Sequence, residues 1–227
     1  MKFLVIGGTG RTGQLVIDEA ISKGHEVIAL VRNKTALPER KSLSTAQGSP
    51  MNIDEITAAI STSSTPIDAV LVTLNARRVT DSPFAAPHPD SPPRFMADSV
   101  KNIISAMRKA QPQIPKIVVM SSVGTGSSMA NANILVRFMM THTNMALSRK
   151  DHEEVDKELR SAGEGLKFVE VRPWMLTDGD AAEVKVYGDD GKGAGFMPKT
   201  SRASVAKFMI EAAETSQYDG KSPVITN

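Results

Sequence analysis

The sequence lacks cysteine, is almost balanced in charge and contains no long apolar run. The absence of cysteine excludes disulfides, thiolate metal sites and cysteine nucleophiles. A formal net charge of +2, with the basic residues dispersed, leaves no basic stripe to follow a nucleic-acid backbone. No stretch approaches the roughly 20 apolar residues of a membrane span, and the first predicted strand begins at once, which leaves no room for a signal sequence. We therefore expect a soluble, cytoplasmic protein that binds neither nucleic acid nor membrane.

Histidine is scarce as well, and the four histidines are widely separated: His25, His88, His142 and His152. Their spacing fits no metal-ligand pattern, so the sequence predicts no metal site.

Short apolar runs alternate with amphipathic stretches along the chain. The apolar runs predict strands at 2–6, 25–31, 68–74, 116–121, 166–171 and 223–226, with weaker candidates at 43–48 and 183–187. Apolar residues at helical spacing predict helices at 14–23, 53–60, 94–109, 153–161 and 201–214, whereas the methionine-rich stretch 133–145 has no clear period. Strands alternating with helices indicate an α/β fold with a doubly wound parallel sheet and helices on both faces. A chain of 227 residues suits one such domain, spanning 1–227.

A glycine-rich loop joins the first strand to the first helix. It reads Gly7-Gly8-Thr9-Gly10-Arg11-Thr12-Gly13. Glycines let the backbone turn sharply and approach a pyrophosphate, while the following helix directs unpaired N–H groups at the anion. The loop therefore predicts a Rossmann-type NAD(P)-binding domain whose cofactor contacts include Gly7, Thr9, Gly10, Arg11, Thr12 and Gly13. The alternative is an ordinary strand-to-helix turn.

The end of the second strand bears on which dinucleotide binds. NAD binders usually place a carboxylate there, but this chain has Arg32 and Lys34 and no acidic residue. A guanidinium matches phosphate in a two-point geometry, so Arg32 is predicted to hold the 2′-phosphate of NADP(H), with Arg11 closing from the other side. The alternative is that Arg32 and Lys34 are merely solvated. Asn75, after the fourth strand, is predicted to lie beneath the pyrophosphate and nicotinamide ribose.

Several segments resemble the atypical short-chain dehydrogenase/reductases of the NmrA-like group, in particular its flavin reductases. The likeness runs over nearly the whole chain and includes the glycine loop, Leu30-Val31-Arg32, Ser121-Ser122, Asp151-His152, Arg172-Pro173 and Tyr218-Asp219-Gly220. Ordinary members of the superfamily keep a catalytic Tyr with a Lys four residues on. This chain has no such pair, because Tyr187 and Tyr218 lie far past that position.

The resemblance implies a site in which the cofactor carries the hydride and the protein orients the substrate. It implies that Ser122 and His152 are the catalytic residues of the pocket and that Ser121 and Pro173 contact the cofactor. The family's Gly-Asp after the third strand is Gly48-Ser49 here, which puts the adenine contact in doubt. A solvated surface position is the alternative for His152, since Glu153 and Glu154 follow it.

Three loops are predicted on the substrate side, at 76–95, 124–150 and 173–200. The first is dense in proline and therefore neither helix nor central strand. Met139 is an adaptable apolar residue suited to a broad pocket, and Trp174 follows the sixth strand, where its ring can stack on a flat substrate. Core packing and loop anchoring are their alternative roles.

Together these features predict an NADPH-dependent oxidoreductase acting on a flat conjugated small molecule such as a flavin, quinone or related ketone. Two alternatives remain open. One is an NADP(H)-sensing regulatory protein that recruits a protein partner, and the other is a secondary-metabolism reductase or isomerase with one dedicated substrate.

Overall fold

Ten strands, seven α-helices and a short 3-10 helix at Lys34–Ala36 make up the computed structural model, which describes residues 1–80, 82 and 84–227. Residues 81 and 83 of the predicted 76–95 loop lie outside the described residues. The strands are β1 Lys2–Ile6, β2 Glu26–Val31, β3 Leu43–Gln47, β4 Ala69–Val72, β5 Lys116–Met120, β6 Lys167–Pro173, β7 Met175–Thr177, β8 Lys185–Tyr187, β9 Lys199–Ser201 and β10 Val224–Thr226. The helices are α1 Arg11–Ser22, α2 Ile53–Ser61, α3 Phe95–Lys109, α4 Ser128–Asn131, α5 Ile134–His142, α6 Met145–Ser161 and α7 Arg202–Glu214.

The central sheet has the strand order β3-β2-β1-β4-β5-β6-β10-β8. All neighbouring pairs are parallel except β10 with β8. The chain moves outward from β1 to β3 and then returns to place β4 on the other side of β1. The order of the strands therefore reverses between β1 and β4.

Each face of the sheet is covered by its own helices. Side chains alternate along a strand, so Phe3 and Val5 of β1 pack toward α1 and α7, while Leu4 and Ile6 pack toward α2, α3 and α6. Both layers are apolar and buried. This arrangement confirms the predicted doubly wound α/β fold.

The structure differs from the predicted elements mainly on the carboxyl side of the sheet. Helix α6 begins at Met145 rather than at 153, and α5 occupies most of the stretch that had no clear period. The first two turns of α6 face a cavity rather than the core, so their sequence carries no apolar stripe. Strand β8 runs antiparallel at the sheet edge, and the short parallel pair of β7 and β9 was not predicted.

No helix in the described parts of the chain combines the length and apolarity needed to cross a membrane.

Candidate functional site

The carboxyl ends of β1 and β4 form the centre of the candidate site. Ligands of doubly wound sheets bind where the strand order reverses, which is between these two strands. The glycine loop leaves β1 here and lies tightly against β4. At Gly7 φ is +92°, and a Cβ would lie 2.9 Å from the carbonyl carbon of Thr73. Only glycine fits this turn.

Helix α1 presents an uncapped N-terminus to the loop. Gly10 precedes the helix without a capping side chain, and the first turn contains no acidic residue. Its N–H groups and the positive end of its dipole are therefore available to an anion. A Cβ at Gly13 would lie 2.2 Å from the carbonyl oxygen of Gly7, so the contact between loop and helix also requires glycine. This cradle fits the pyrophosphate of a dinucleotide.

A cleft of about 720 Å³ opens above the glycine loop. Its described lining carries many cations and a single carboxylate, that of Asp90. The cations are Arg11, Arg32, Arg77, Arg78 and Arg202. A concave, positively charged cleft of this size suits a polyanionic ligand such as a dinucleotide.

Arg32 and Arg11 flank the cleft with mostly exposed side chains. The side chain of Arg32 is 70% exposed and its Nη1 lies 3.8 Å from Oδ2 of Asp90, while Nη1 of Arg11 lies 3.7 Å from Oδ2 of Asp178. Exposed pairs at such distances contribute little energy, so both guanidiniums can turn toward a phosphate at small cost.

A second cavity, of about 320 Å³, adjoins the cleft. Both are lined by Leu74, Asn75, Arg78, Met120 and Leu176. The second cavity is rich in methionine and, among its described lining residues, contains no carboxylate. The methionines are Met120, Met139, Met140, Met145, Met175 and Met197. Polarizable, flexible side chains of this kind suit a flat apolar guest.

Trp174 forms part of the wall of this second cavity. The residue is 6% exposed and packs with Val123, Met140 and Val224 in a small apolar cluster. Its Nε1 is buried without a hydrogen-bond partner among the described residues. Trp174 therefore both anchors the loop after β6 and borders the space available to a substrate.

Ser121 and His152 form a buried pair at the inner end of the second cavity. Oγ of Ser121 lies 3.1 Å from Nδ1 of His152, and each residue is 5% exposed. Burial, together with the nearby Arg172 guanidinium, lowers the pKa of His152 to about 4. The imidazole is thus neutral at physiological pH, and the surface position considered for His152 is wrong.

Helix α6 holds His152 in place through the preceding residue. The carboxylate of Asp151 accepts hydrogen bonds from the backbone N–H groups of Met96 at 2.9 Å and Ala97 at 3.0 Å. These groups belong to the first turn of α3, where a carboxylate is favoured by the helix dipole. Helix α6 is thereby fixed against α3 at the level of the cavity.

The predicted site residues fall into two groups. Gly7, Thr9, Gly10, Arg11, Thr12, Arg32 and Asn75 line the cleft, and Gly13 supports the loop from below. Ser121, Ser122, Met139, His152, Pro173 and Trp174 line the second cavity. Ser121 and Pro173, which were predicted to contact the cofactor, line the second cavity and not the cleft. The Ser122 hydroxyl donates to the carbonyl of Val123 at 3.1 Å, and His152 pairs with Ser121 rather than with Ser122.

Three arginines of the cleft were not predicted from the sequence. Arg77 and Arg78 directly follow Asn75 at a strand end, which is the signal that singled out Arg32. Arg202 reaches the cleft from the start of α7, and only the tertiary structure brings it there.

The geometry defines an α/β protein that binds a dinucleotide at the reversal of its sheet order. The profile of the NAD(P)H-binding family matches residues 7–216, and the chain belongs to this family. The match includes the glycine loop and Arg202 of the cleft and supports a nicotinamide cofactor as its ligand.

Solved structures of other proteins share the fold. ChuY, an anaerobillin reductase from Escherichia coli O157:H7, superposes with a TM-score of 0.75 at 15% identity, over 100% of this chain and 97% of that one. A putative NAD-dependent epimerase/dehydratase from Bacillus halodurans gives 0.72 at 21% identity, over 100% and 94%. The oxidoreductase ylbE from Lactococcus lactis gives 0.73 at 15% identity, over 100% and 91%. These likenesses show that the α/β fold is shared along nearly the full length of each chain.

Substitution of Gly13 tests the cradle. In Gly13→Ala the new Cβ clashes with backbone atoms of Gly7 and Gly8, so the loop must shift. The N–H groups at the start of α1 then no longer point at the pyrophosphate. We expect calorimetry to show a loss of NADPH and NADH affinity of roughly tenfold or more, or about 1.4 kcal/mol. Gly188→Ala is the matched control, because its Cβ would lie 3.6 Å from its nearest neighbour, Oδ1 of Asp190. Equal affinity in both variants contradicts the cradle.

Titration of His152 tests its burial. The unfolded chain binds a proton near pH 6.5 and the folded chain only near 4, so this residue's contribution to stability is lost as the pH falls through that window. In NMR spectra of the folded protein, the imidazole signal that is missing from His152→Asn should keep its neutral position between these two pH values. A midpoint near 6.5 would instead show an exposed ring.

Proposed function

We propose that the protein is an NADPH-dependent oxidoreductase that reduces a flat, conjugated small molecule such as a flavin, a quinone or a related ketone. The observation that carries this proposal is the junction between the two cavities. The arginine-lined cleft above the glycine loop opens directly into the methionine-lined cavity that holds Ser121 and His152. A dinucleotide in the cleft therefore has its reactive end directed at a separate apolar space.

The cofactor, when bound, supplies a hydride. The protein's own residues orient the acceptor and manage one proton. The walls around Met139 and Trp174 suit a planar guest, and the half-buried hydroxyl of Ser122 can turn from the Val123 carbonyl toward a polar atom of that guest. The Ser121 hydroxyl, held by neutral His152, is the best-positioned proton donor in a site without the Tyr and Lys pair.

The named activities of two proteins with this fold guide the choice of acceptors. ChuY is an anaerobillin reductase and ylbE is an oxidoreductase, and both share this fold. We infer that residues 1–227 act as one domain in this reaction, because the glycine loop and Arg202 at the start of α7 both border the cleft.

Turnover with a panel of acceptors tests the proposed reaction. Purified protein is mixed with NADPH and flavins, quinones or anaerobillin, and the loss of nicotinamide absorbance is followed. We expect turnover with at least one acceptor, and in Gly13→Ala a kcat/KM for NADPH that is lower by the same factor as its cofactor affinity. NADPH binding without oxidation by any acceptor counts against the reductase.

That last outcome favours the second candidate, an NADP(H)-sensing protein with a protein partner. Its structural support is the apolar surface of α5, where Ile134, Leu135 and Phe138 are exposed. Such a surface, on a helix that lines the second cavity, suits a macromolecular contact.

Substitution of Arg32 tests the preference for NADPH. In Arg32→Ala we expect NADPH affinity to fall by about 1–3 kcal/mol, because charge-assisted bonds to the 2′-phosphate are lost, while NADH affinity stays the same. Lys34→Ala removes a neighbouring cation that does not line the cleft and serves as the control. Equal weakening of both cofactors by Arg32→Ala would refute the assignment.

A further inference from the structure

Two ionisable residues of β6 are completely buried behind the Ser121 and His152 pair. Glu170 and Arg172 are both 0% exposed, and they share one face of the strand because they are two residues apart. Oε2 of Glu170 accepts from Nε of Arg172 at 3.0 Å and from Nη2 at 2.6 Å. Burying two charges costs desolvation free energy, so an ion pair buried beside the candidate site is a candidate for a functional role.

The pair is part of a larger polar cluster that reaches the surface. Nη2 of Arg172 also donates to Oδ1 of Asp156 at 2.7 Å, and Asp156 accepts from Nε of Arg160 at 2.9 Å. Nη2 of Arg160 in turn lies 3.4 Å from Oδ2 of Asp189. The side chain of Asp156 is 16% exposed and that of Asp189 is 37% exposed. A continuous row of polar groups thus leads from solvent to Glu170.

The charges in this cluster do not balance. It contains three carboxylates, of Asp156, Glu170 and Asp189, and two guanidiniums, of Arg160 and Arg172. An excess negative charge in a desolvated place favours uptake of one proton. Glu170 is the most buried of the three, and its Oε1 has no hydrogen-bond partner among the described residues.

The electrostatics of Glu170 agree with the charge count. Burial raises the pKa of Glu170 to about 7, and the neighbouring Asp156 carboxylate adds to this rise, while Arg172 and the Ser121 hydroxyl oppose it. The carboxyl group therefore holds a proton for part of the time at neutral pH.

The structure also connects Glu170 to the cavity. Glu170 is paired with Val119 in the register of β5 and β6, so Ser121 follows two residues later on the same face. The backbone N–H of Ser121 donates to the carbonyl of Val171 at 2.8 Å, which fixes Ser121 beside this strand. On α6, His152 and Asp156 are one helical turn apart and face the same two strands.

We propose that Glu170 is the internal proton store of the site and that it resupplies the Ser121 hydroxyl after each reduction. This inference rests on the proposed reductase function. The reduction consumes one proton besides the hydride; Ser121 gives its hydroxyl proton to the substrate and regains one from the Glu170 carboxyl. Glu170 is then reprotonated from solvent, which reaches the cluster where the Asp156 side chain is 16% exposed. His152 holds the hydroxyl in place and stays neutral. Glu170 acts through Ser121 and is a positioning residue.

Infrared titration of the full chain without any ligand tests the proton store directly. We expect a protonated-carboxyl band that grows as the pH falls through about 7 and is missing from Glu170→Gln. A band at that pH that persists in Glu170→Gln overturns the proposal, and so does its absence from the unmodified protein.

Asp156→Asn provides a second, independent variant. It removes the like charge beside Glu170 and leaves Arg172 to that carboxylate alone, so the midpoint of the band should fall by roughly one pH unit. This result is informative even where Glu170→Gln does not fold. An unchanged midpoint overturns the assignment.

Single-turnover kinetics separate this proposal from the function on which it rests. With an acceptor identified from the panel, the rate should fall as the pH rises through about 7, and Glu170→Gln should be slower by roughly tenfold or more and lose that dependence while binding NADPH normally. Turnover with an unchanged pH profile in Glu170→Gln refutes the proton store and leaves the reductase standing. If the protein binds no NADPH, both the reductase function and the proton store are refuted.

Discussion

The close contact between the first loop and the first helix is the constraint on which the whole site depends. Gly7 turns with a positive φ against Thr73, and Gly13 lets the first turn of α1 approach the carbonyl of Gly7. This contact directs the N–H groups of α1 at the space above β1 and β4. Because the strand order reverses there, the same space is the cleft left between the crossover connections of the sheet.

The cleft and the adjoining cavity differ in the chemistry of the side chains that line them. The cleft has arginines at its rim, which suits a phosphate-bearing ligand, whereas the adjoining cavity has methionines and Trp174, which suit an apolar one. Methionine adapts its shape at low cost, so this wall favours a range of planar guests over a single tightly matched one. Five residues line both spaces, so the cleft and the cavity adjoin directly.

Buried polar groups then complete the site from behind. Asp151 fixes α6 on α3, His152 holds Ser121, and the two strands beneath carry an ion pair that is fully removed from solvent. Charge in such a place is tolerated because every guanidinium is shared between carboxylates. Three carboxylates face two guanidiniums in this cluster, and burial raises the pKa of Glu170 to about 7.

Local patterns in the sequence determined the fold class, most strand positions, the glycine loop and the position of Arg32 at the end of a strand. Apolar periodicity and strand-end chemistry are properties of neighbouring residues, which is why these features could be predicted. They failed where a segment faces a cavity instead of the core, as in α5 and the first half of α6. Only the tertiary structure decided that His152 is buried against Ser121 rather than exposed, and that Arg202 reaches the cleft. It also decided that Glu170, which lies inside a predicted strand, pairs with an Arg172 side chain that also binds Asp156. These outcomes depend on which helix packs over which strand, and packing between distant segments leaves no local pattern in the chain.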